Sequence, residues 1–178
     1  MKLLVKIGSS LLYVVGMLFS HQALADLKAG DMAPEFRLTD QHLQTVSLKD
    51  FRGQWVVLYF YPKNDTPGCT TEACSFRDNI NRLIQQDAVV LGVSVDSVES
   101  HKDFAQKYKL PFSLLADEGG KVADQYDAVL NLGLVQFAKR HSFIIDPEGK
   151  IAKVYRDVSP RSHVREVLEE LKQLKQQQ

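Results

Sequence analysis

Trp55-Val56-Val57-Leu58-Tyr59-Phe60-Tyr61-Pro62-Lys63-Asn64-Asp65-Thr66-Pro67-Gly68-Cys69-Thr70-Thr71-Glu72-Ala73-Cys74 runs from an apolar segment, through a turn bearing Pro and Gly, into an amphipathic pattern. Trp55 to Tyr61 is apolar on both faces, as a central buried strand must be. Beyond the turn, Ala73, Phe76, Ile80, Leu83 and Ile84 recur at spacings of three and four, which predicts one helix with a single core-facing stripe. Ala88 to Val95 then reads as a second buried strand. Strand, helix and strand in that order make a right-handed parallel crossover. Both cysteines of the chain, Cys69 and Cys74, fall at the strand-to-helix junction. A residue just after Pro-Gly meets the unpaired N–H groups and the positive dipole end of a helix, which favour an anion. A thiol there tends to ionise, and the thiolate is the nucleophile.

Working outward, Leu27 to Pro34 is a polar lead-in. Phe36 to Asp40 and Thr45 to Leu48 are short alternating runs around a polar turn, an N-terminal hairpin. Asp96-Ser97-Val98-Glu99 has the character of a capping box opening a helix through about Lys107, with Phe104 and Tyr108 turned inward. Pro111 to Leu115 reads as a short strand and Lys121 to Tyr126 as a short helix. Leu130 to Phe137, broken by Gly133, reads as a loop. Two strand-like runs, His141 to Ile145 and Ile151 to Tyr155, flank Asp146-Pro147-Glu148-Gly149-Lys150, a hairpin signal. Ser159-Pro160 offers an N-cap followed by proline in the first turn. Val164, Val167, Leu168, Leu171 and Leu174 mark a final amphipathic helix. A parallel crossover followed by a hairpin and a closing helix fits an α/β architecture around a mixed sheet.

The chain has 178 residues, 44% hydrophobic and 25% charged. That suits one globular domain. Its N-terminus differs in kind. Lys2 and Lys6 precede an apolar stretch from Ile7 to Phe19, and Ala23-Leu24-Ala25 supplies a cleavage pattern, which together read as a secretory signal peptide over 1–25. The rival reading is an uncleaved membrane anchor, against which the apolar stretch falls short of the ~20 residues that span a bilayer. Cleavage after Ala25 leaves one domain over 26–178, exported to a compartment such as the bacterial periplasm, with no stable membrane association. It also removes two lysines and no acids from a balance of 22 basic and 22 acidic side chains. A slightly acidic product argues against a nucleic-acid partner. No cofactor or metal is expected, since two Cys with scattered His42, His101, His141 and His163 give no ligand spacing.

Pro62-x-x-x-Thr66-x-x-Cys69 resembles the active-site signature of the peroxiredoxins, and Cys74 five residues on resembles their bacterioferritin comigratory protein, or Q-type, subgroup. Phe60-Tyr61-Pro62-Lys63 before the signature and Phe76-Arg77-Asp78 after it strengthen the match, which extends from about Leu27 to the C-terminal helix. The resemblance implies a thioredoxin-like fold with flanking helices, which periodicity alone does not select. It implies a thiol peroxidase in which Cys69 is the peroxidatic residue, oxidised by a hydroperoxide to a sulfenic acid. Cys74 is the resolving residue, and a thioredoxin-like or other dithiol recycles the disulfide. The protein is expected to be a monomer or weak dimer.

On one unbroken helix, five residues place Cys69 and Cys74 about 140° apart with ~7.5 Å of rise. Their Cα atoms are then roughly 8.5 to 9 Å apart, beyond the reach of about 4.4 to 6.8 Å that a disulfide tolerates. Pairing therefore requires the helix to unwind, unless the segment is not helical. A structural staple across so short a loop would close little, whereas a catalytic pair profits from an oxidised form that is strained and easily reduced. Two rivals stand beside the peroxidase. An exported thiol-disulfide oxidoreductase suits the fold and address but ordinarily has C-x-x-C spacing. A thioredoxin-fold binding module with a structural disulfide predicts no peroxide turnover.

Other roles follow the same logic. Thr66, three residues before Cys69, could bring its hydroxyl beside the sulfur or act as an ordinary helix cap. Pro62 shapes the loop and shields the thiolate. Arg140, opening the strand Arg140 to Asp146, matches the family context of the active-site arginine, whose fork of donors can hold thiolate and peroxide together. Arg77 is about 12 Å up the helix axis and is expected to make structural pairs. Glu72 and Asp65 near the thiol could pair with cations, although a bare acidic residue in a helix's first turn is explained by the dipole. The segment Asp127 to Lys139 is shorter and more apolar than the glycine- and lysine-containing loop associated with many relatives, and an apolar rim suits organic hydroperoxides.

Overall fold

A computed structural model describes residues 26–133 and 135–177. The leader read over 1–25 lies outside the described residues. The central strand β3 spans Trp55–Phe60, and all six residues are buried. Successive side chains enter opposite layers because a strand alternates its faces. Trp55, Val57, Tyr59 and Tyr61 join one core cluster, while Val56, Leu58 and Phe60 join the other. Each large apolar side chain so buried contributes ~1.5 to 3 kcal/mol.

The crossover forms as expected. From β3 the chain passes through helix α1 (Pro67–Asp78) and helix α2 (Ile80–Ile84) to strand β4 (Ala88–Ser94), parallel to β3 with Trp55 opposite Ala88. The N-terminal hairpin is β1 (Arg37–Asp40) with β2 (Thr45–Ser47), antiparallel. Helix α3 (Val98–Tyr108), strand β5 (Ser113–Ala116) and helix α4 (Lys121–Gln125) follow β4. Strands β6 (Val129–Leu132) and β7 (Val135–Ala138) form a separate two-stranded sheet. The chain closes with β8 (Ser142–Ile145), β9 (Ile151–Tyr155) and helix α5 (His163–Gln176). The main sheet has the order β2-β1-β5-β4-β3-β8-β9 and is mixed: β3, β4 and β5 are parallel, and β8 and β9 antiparallel. Cys69, Ala73 and Phe76 of α1, Phe104 of α3 and Val164, Val167 and Leu171 of α5 pack on one face. Phe36, Leu48, Val122 and Tyr126 fill the other.

The elements differ from the sequence reading at several points. The single helix expected through Ile84 is broken at Asn79, whose Nδ2 donates to the Ser75 carbonyl and whose backbone leaves the helical region; Ile80 and Leu83 still pack on the core beyond the break, while Ile84 is exposed. The expected loop from Leu130 to Phe137 is the hairpin β6–β7, closing at Gly133 with φ +70°, a left-handed conformation open to glycine. Ser97, one residue after the expected cap, is the N-cap of α3 and accepts from the Ser100 amide. Ser159 caps no helix directly. Its carbonyl receives the Ser162 and His163 amides in a turn that precedes α5. Finally, β5 starts at Ser113 rather than at Pro111, because proline has no N–H for the ladder.

Candidate active site

The site is assembled where β3 ends. Tyr61 still donates its amide to Val93, and half-buried Pro62 follows. Asn64 then anchors the loop. Its amide donates to Asp96 Oδ2 at 2.9 Å, its Nδ2 donates to Ser100 Oγ at 2.9 Å, and its Oδ1 accepts from the Tyr61 hydroxyl at 2.8 Å. His101 Nδ1 lies 3.1 Å from Asn64 Nδ2 and 3.3 Å from the Tyr61 oxygen, and burial lowers its pKa. The loop is thus fastened to the N-terminal half of α3. Asp65 turns it at φ +58°, a conformation that Asp tolerates, and pairs with Lys107 at 2.7 Å.

Thr66 occupies the N-cap position of α1 with extended backbone and Pro67 follows in the first turn, where a missing N–H costs nothing. The Thr66 side chain caps no amide. Its hydroxyl donates to the Lys63 carbonyl at 3.0 Å, which leaves its lone pairs to accept a proton donor. Cys69 lies in the first turn of α1, 1% exposed. Cys74 lies further along the same unbroken helix, half-buried, and both thiols are free.

Arg140 reaches this turn from a sequence distance of 71 residues. It does not open β8, as the sequence suggested, but sits in a bend before it. There the His141 amide donates to the Lys139 carbonyl and takes Arg140 off the ladder. Its Nη2 donates to Cys69 Sγ at 3.3 Å and its Nη1 donates to Glu72 Oε2. Gly68 permits this approach: a Cβ there would lie 3.2 Å from Nη2. Burial works against the Arg140 charge, but the neighbouring Glu72 and the Cys69 sulfur outweigh it and raise its pKa.

Glu72 is the residue that sequence reasoning undervalued. It is fully buried, and burial pushes its carboxyl up to about 7 against the pull of Arg140. Its place one helical turn beyond Cys69, on the same face, was the available signal. Arg77 makes the structural pairs expected of it, donating to Asp78 and to the Tyr108 carbonyl. The structure therefore joins Cys69, Glu72 and Arg140 directly, and holds Cys74 apart.

Chemically, a sulfur at a helix N-terminus with one guanidinium nitrogen on it, and the rest of that fork steadied by a carboxylate, is arranged to stabilise negative charge on the sulfur and on an atom it attacks. The comparisons agree with this geometry. The model of the AhpC/TSA family matches residues 29–154. Peroxiredoxin Bcp of Bacillus subtilis (strain 168) is 44% identical over 152 residues, covering 83% of this chain and 97% of that protein. The crystal structure of a cysteine-to-serine mutant of PrxQ from Xylella fastidiosa superposes with a TM-score of 0.79 at 34% identity, covering 84% of this chain and 98% of the other. The bacterioferritin comigratory protein of Xanthomonas campestris, with structures bearing on its alkyl peroxide reduction activity, matches with a TM-score of 0.76 at 31% identity, over 82% of this chain and 98% of its own. On its sequence, its thioredoxin-like fold and these likenesses, the chain belongs to the AhpC/TSA family, within the peroxiredoxins of the Bcp and Q type.

Proposed function

We propose that the chain is a thiol peroxidase that reduces hydrogen peroxide and organic hydroperoxides at Cys69. The observation that carries this reading is the Arg140 fork, with one nitrogen 3.3 Å from Cys69 Sγ and the other on Glu72. In the first step a sulfur lone pair of the Cys69 thiolate bonds to the terminal peroxide oxygen as the O–O bond breaks. Sulfur is oxidised by two electrons, and the leaving hydroxide or alkoxide takes a proton to become water or an alcohol. Arg140 steadies the charge as it moves from sulfur to oxygen. The Thr66 oxygen, with its proton engaged by the Lys63 carbonyl, accepts a hydrogen bond from the O–H of the peroxide, and Pro62 limits water around the loop.

Cys74 then attacks the sulfenic sulfur, the S–O bond breaks, water leaves and a disulfide forms. An external dithiol, thioredoxin-like in the simplest case, returns the two electrons. Because both cysteines share α1, the second step needs that helix to unwind. Peroxide consumption with several dithiol donors tests the scheme. Cys69→Ser should abolish turnover, and Cys74→Ser should still be oxidised once by peroxide but lose recycling through an internal disulfide. Full activity in the Cys69→Ser chain would refute it.

We also propose export with cleavage after Ala25, on the strength of the Lys2, Lys6 and Ala23-Leu24-Ala25 pattern, and a monomer or weak dimer in solution. An intact mass beginning at Asp26 in the exported fraction is the expected result; a mature chain retaining Met1 would exclude cleavage. Sedimentation of that chain reads the assembly.

A further inference from the structure

His163, the first residue of α5, is fully buried and has no part in the scheme above. Its ring is gripped edge-on by Phe76, with centroids 5.7 Å apart, and by Tyr155 at 5.2 Å. Neither ring nitrogen has a hydrogen-bond partner among the described residues. Its Nε2 lies 4.0 Å from Glu72 Oε1. That oxygen is likewise unpartnered, while Oε2 receives Arg140. A buried atom able to donate thus faces a buried atom able to accept, each otherwise unsatisfied, and native interiors rarely leave such atoms unpaired. Closing from 4.0 Å to hydrogen-bond range needs roughly 1 Å, which rotation of the terminal carboxylate torsion, broad in energy, can provide.

We propose that neutral His163, protonated on Nε2, donates to Glu72 Oε1 and is thereby a positioning residue for the peroxidatic centre, acting through Glu72 on Arg140 and through Arg140 on Cys69. This rests on the peroxidase reading for its function, though not for the hydrogen bond itself. Burial pushes the His163 pKa down to about 4, with Glu166 opposing and Arg140 reinforcing, so the ring is neutral and a donor rather than a counter-charge. The other groups facing the pair are Cys69 on α1, Tyr59 on β3, Tyr61 just after it, Arg140 before β8, Tyr155 on β9 and Glu166 on α5. Of these Arg140 is the one cation, and it holds the opposite carboxylate oxygen. A donor on Oε1 favours the ionised carboxylate, and so keeps the guanidinium fork engaged on both Glu72 and the sulfur.

The experiment uses the reduced full chain with ¹³C-labelled glutamate, the Glu72 carboxyl signal being assigned by its loss in Glu72→Gln. His163→Phe keeps a ring between Phe76 and Tyr155 but removes both nitrogens; His163→Leu replaces it if the phenyl ring prevents folding. His163→Gln keeps an N–H donor near the position of Nε2. The expected result is a Glu72 titration midpoint about one pH unit higher in His163→Phe, a tenfold change in its ionisation constant, restored toward wild type in His163→Gln. The corresponding inflection in the pH profile of single-turnover peroxide reduction should move by the same amount. An unmoved midpoint in His163→Phe overturns the proposal, as does a His163→Gln chain shifted as far as His163→Phe. A uniformly slower reaction with an unmoved inflection would likewise reduce His163 to packing. A wild-type chain inert to peroxide would sink the peroxidase reading, while the Glu72 titration would still decide the hydrogen bond.

Discussion

Arg140 shows how much one side chain can be asked to do. One guanidinium nitrogen touches the sulfur and another the Glu72 carboxylate, a division of labour that a fixed planar fork performs and a single ammonium does not. Arg140→Lys should therefore keep the charge and lose the geometry. The rate of peroxide reaction is expected to fall on the order of a hundredfold, as when one donor to a developing charge is removed; stopped-flow oxidation of the reduced chain reads it, and an unchanged rate would move the role elsewhere. At this scale the resemblance singled out Cys69, Cys74, Thr66, Pro62 and Arg140, and the structure sets Arg140 against Cys69 with Thr66 at the N-cap of the helix that carries both cysteines. Glu72 and His163 were hidden for a physical reason. A polar residue on a helix reads as solvated until the partner that buries it is known, and here the partners come from β8's approach and from α5.

Element by element, continuous apolar runs placed β3 and β4, a cap signal placed α3, and apolar periodicity placed α5, each over a long buried stretch. Short elements were less legible. Asn79 broke a helix whose apolar spacing continued unbroken, since a side-chain bond to Ser75 leaves no mark on hydrophobicity. The β6–β7 hairpin was read as a loop because Gly133 breaks its apolar run, which shows no in–out alternation; the hairpin buries little, with Leu132 and Val135 at 59% and 50% exposure. One contact between elements yields a sharp expectation. Gly92 on β4 lies where a Cβ would approach Tyr59 Cζ and the Tyr59 oxygen at 2.8 Å and Leu114 Cδ2 at 2.9 Å. Tyr59 in turn stacks on Phe76 of α1, with centroids 4.8 Å apart. Gly92→Ala should overpack this layer and cost ~1 to 3 kcal/mol. Denaturant unfolding should show a lower midpoint with an unchanged slope; an unshifted midpoint would mean that the layer yields freely.

For the whole molecule, the two buried titratable groups at the α1–α5 contact set opposing pH dependences. The Glu72 pKa is raised from 4.5 to about 7, so the folded chain binds the proton more tightly; its contribution is fully present below pH ~4.5 and is lost as pH rises through about 7. The His163 pKa is lowered from 6.5 to about 4, so its contribution is present above pH ~6.5 and is lost as pH falls through about 4. Each effect is worth up to about 3 kcal/mol. Between those limits they offset one another, and the wild-type urea midpoint should be nearly flat from about pH 4.5 to 6.5 in what these two groups contribute. Glu72→Gln should leave a midpoint that rises with pH over that window, and His163→Phe one that falls. Parallel profiles in all three chains would show that neither group titrates there.

The interruption at Asn79 has a consequence for what happens to the molecule during turnover. Phe76 and Ala73 hold one helix to the core, while Leu83 of the next has its own seat against the sheet. In the proposed cycle a rupture begun at Thr66 would therefore meet a firebreak: the chain would come apart over one dozen-residue cylinder and stop, leaving the crossover into β4 tethered, so that the machine would reset after each oxidation instead of having to be refolded.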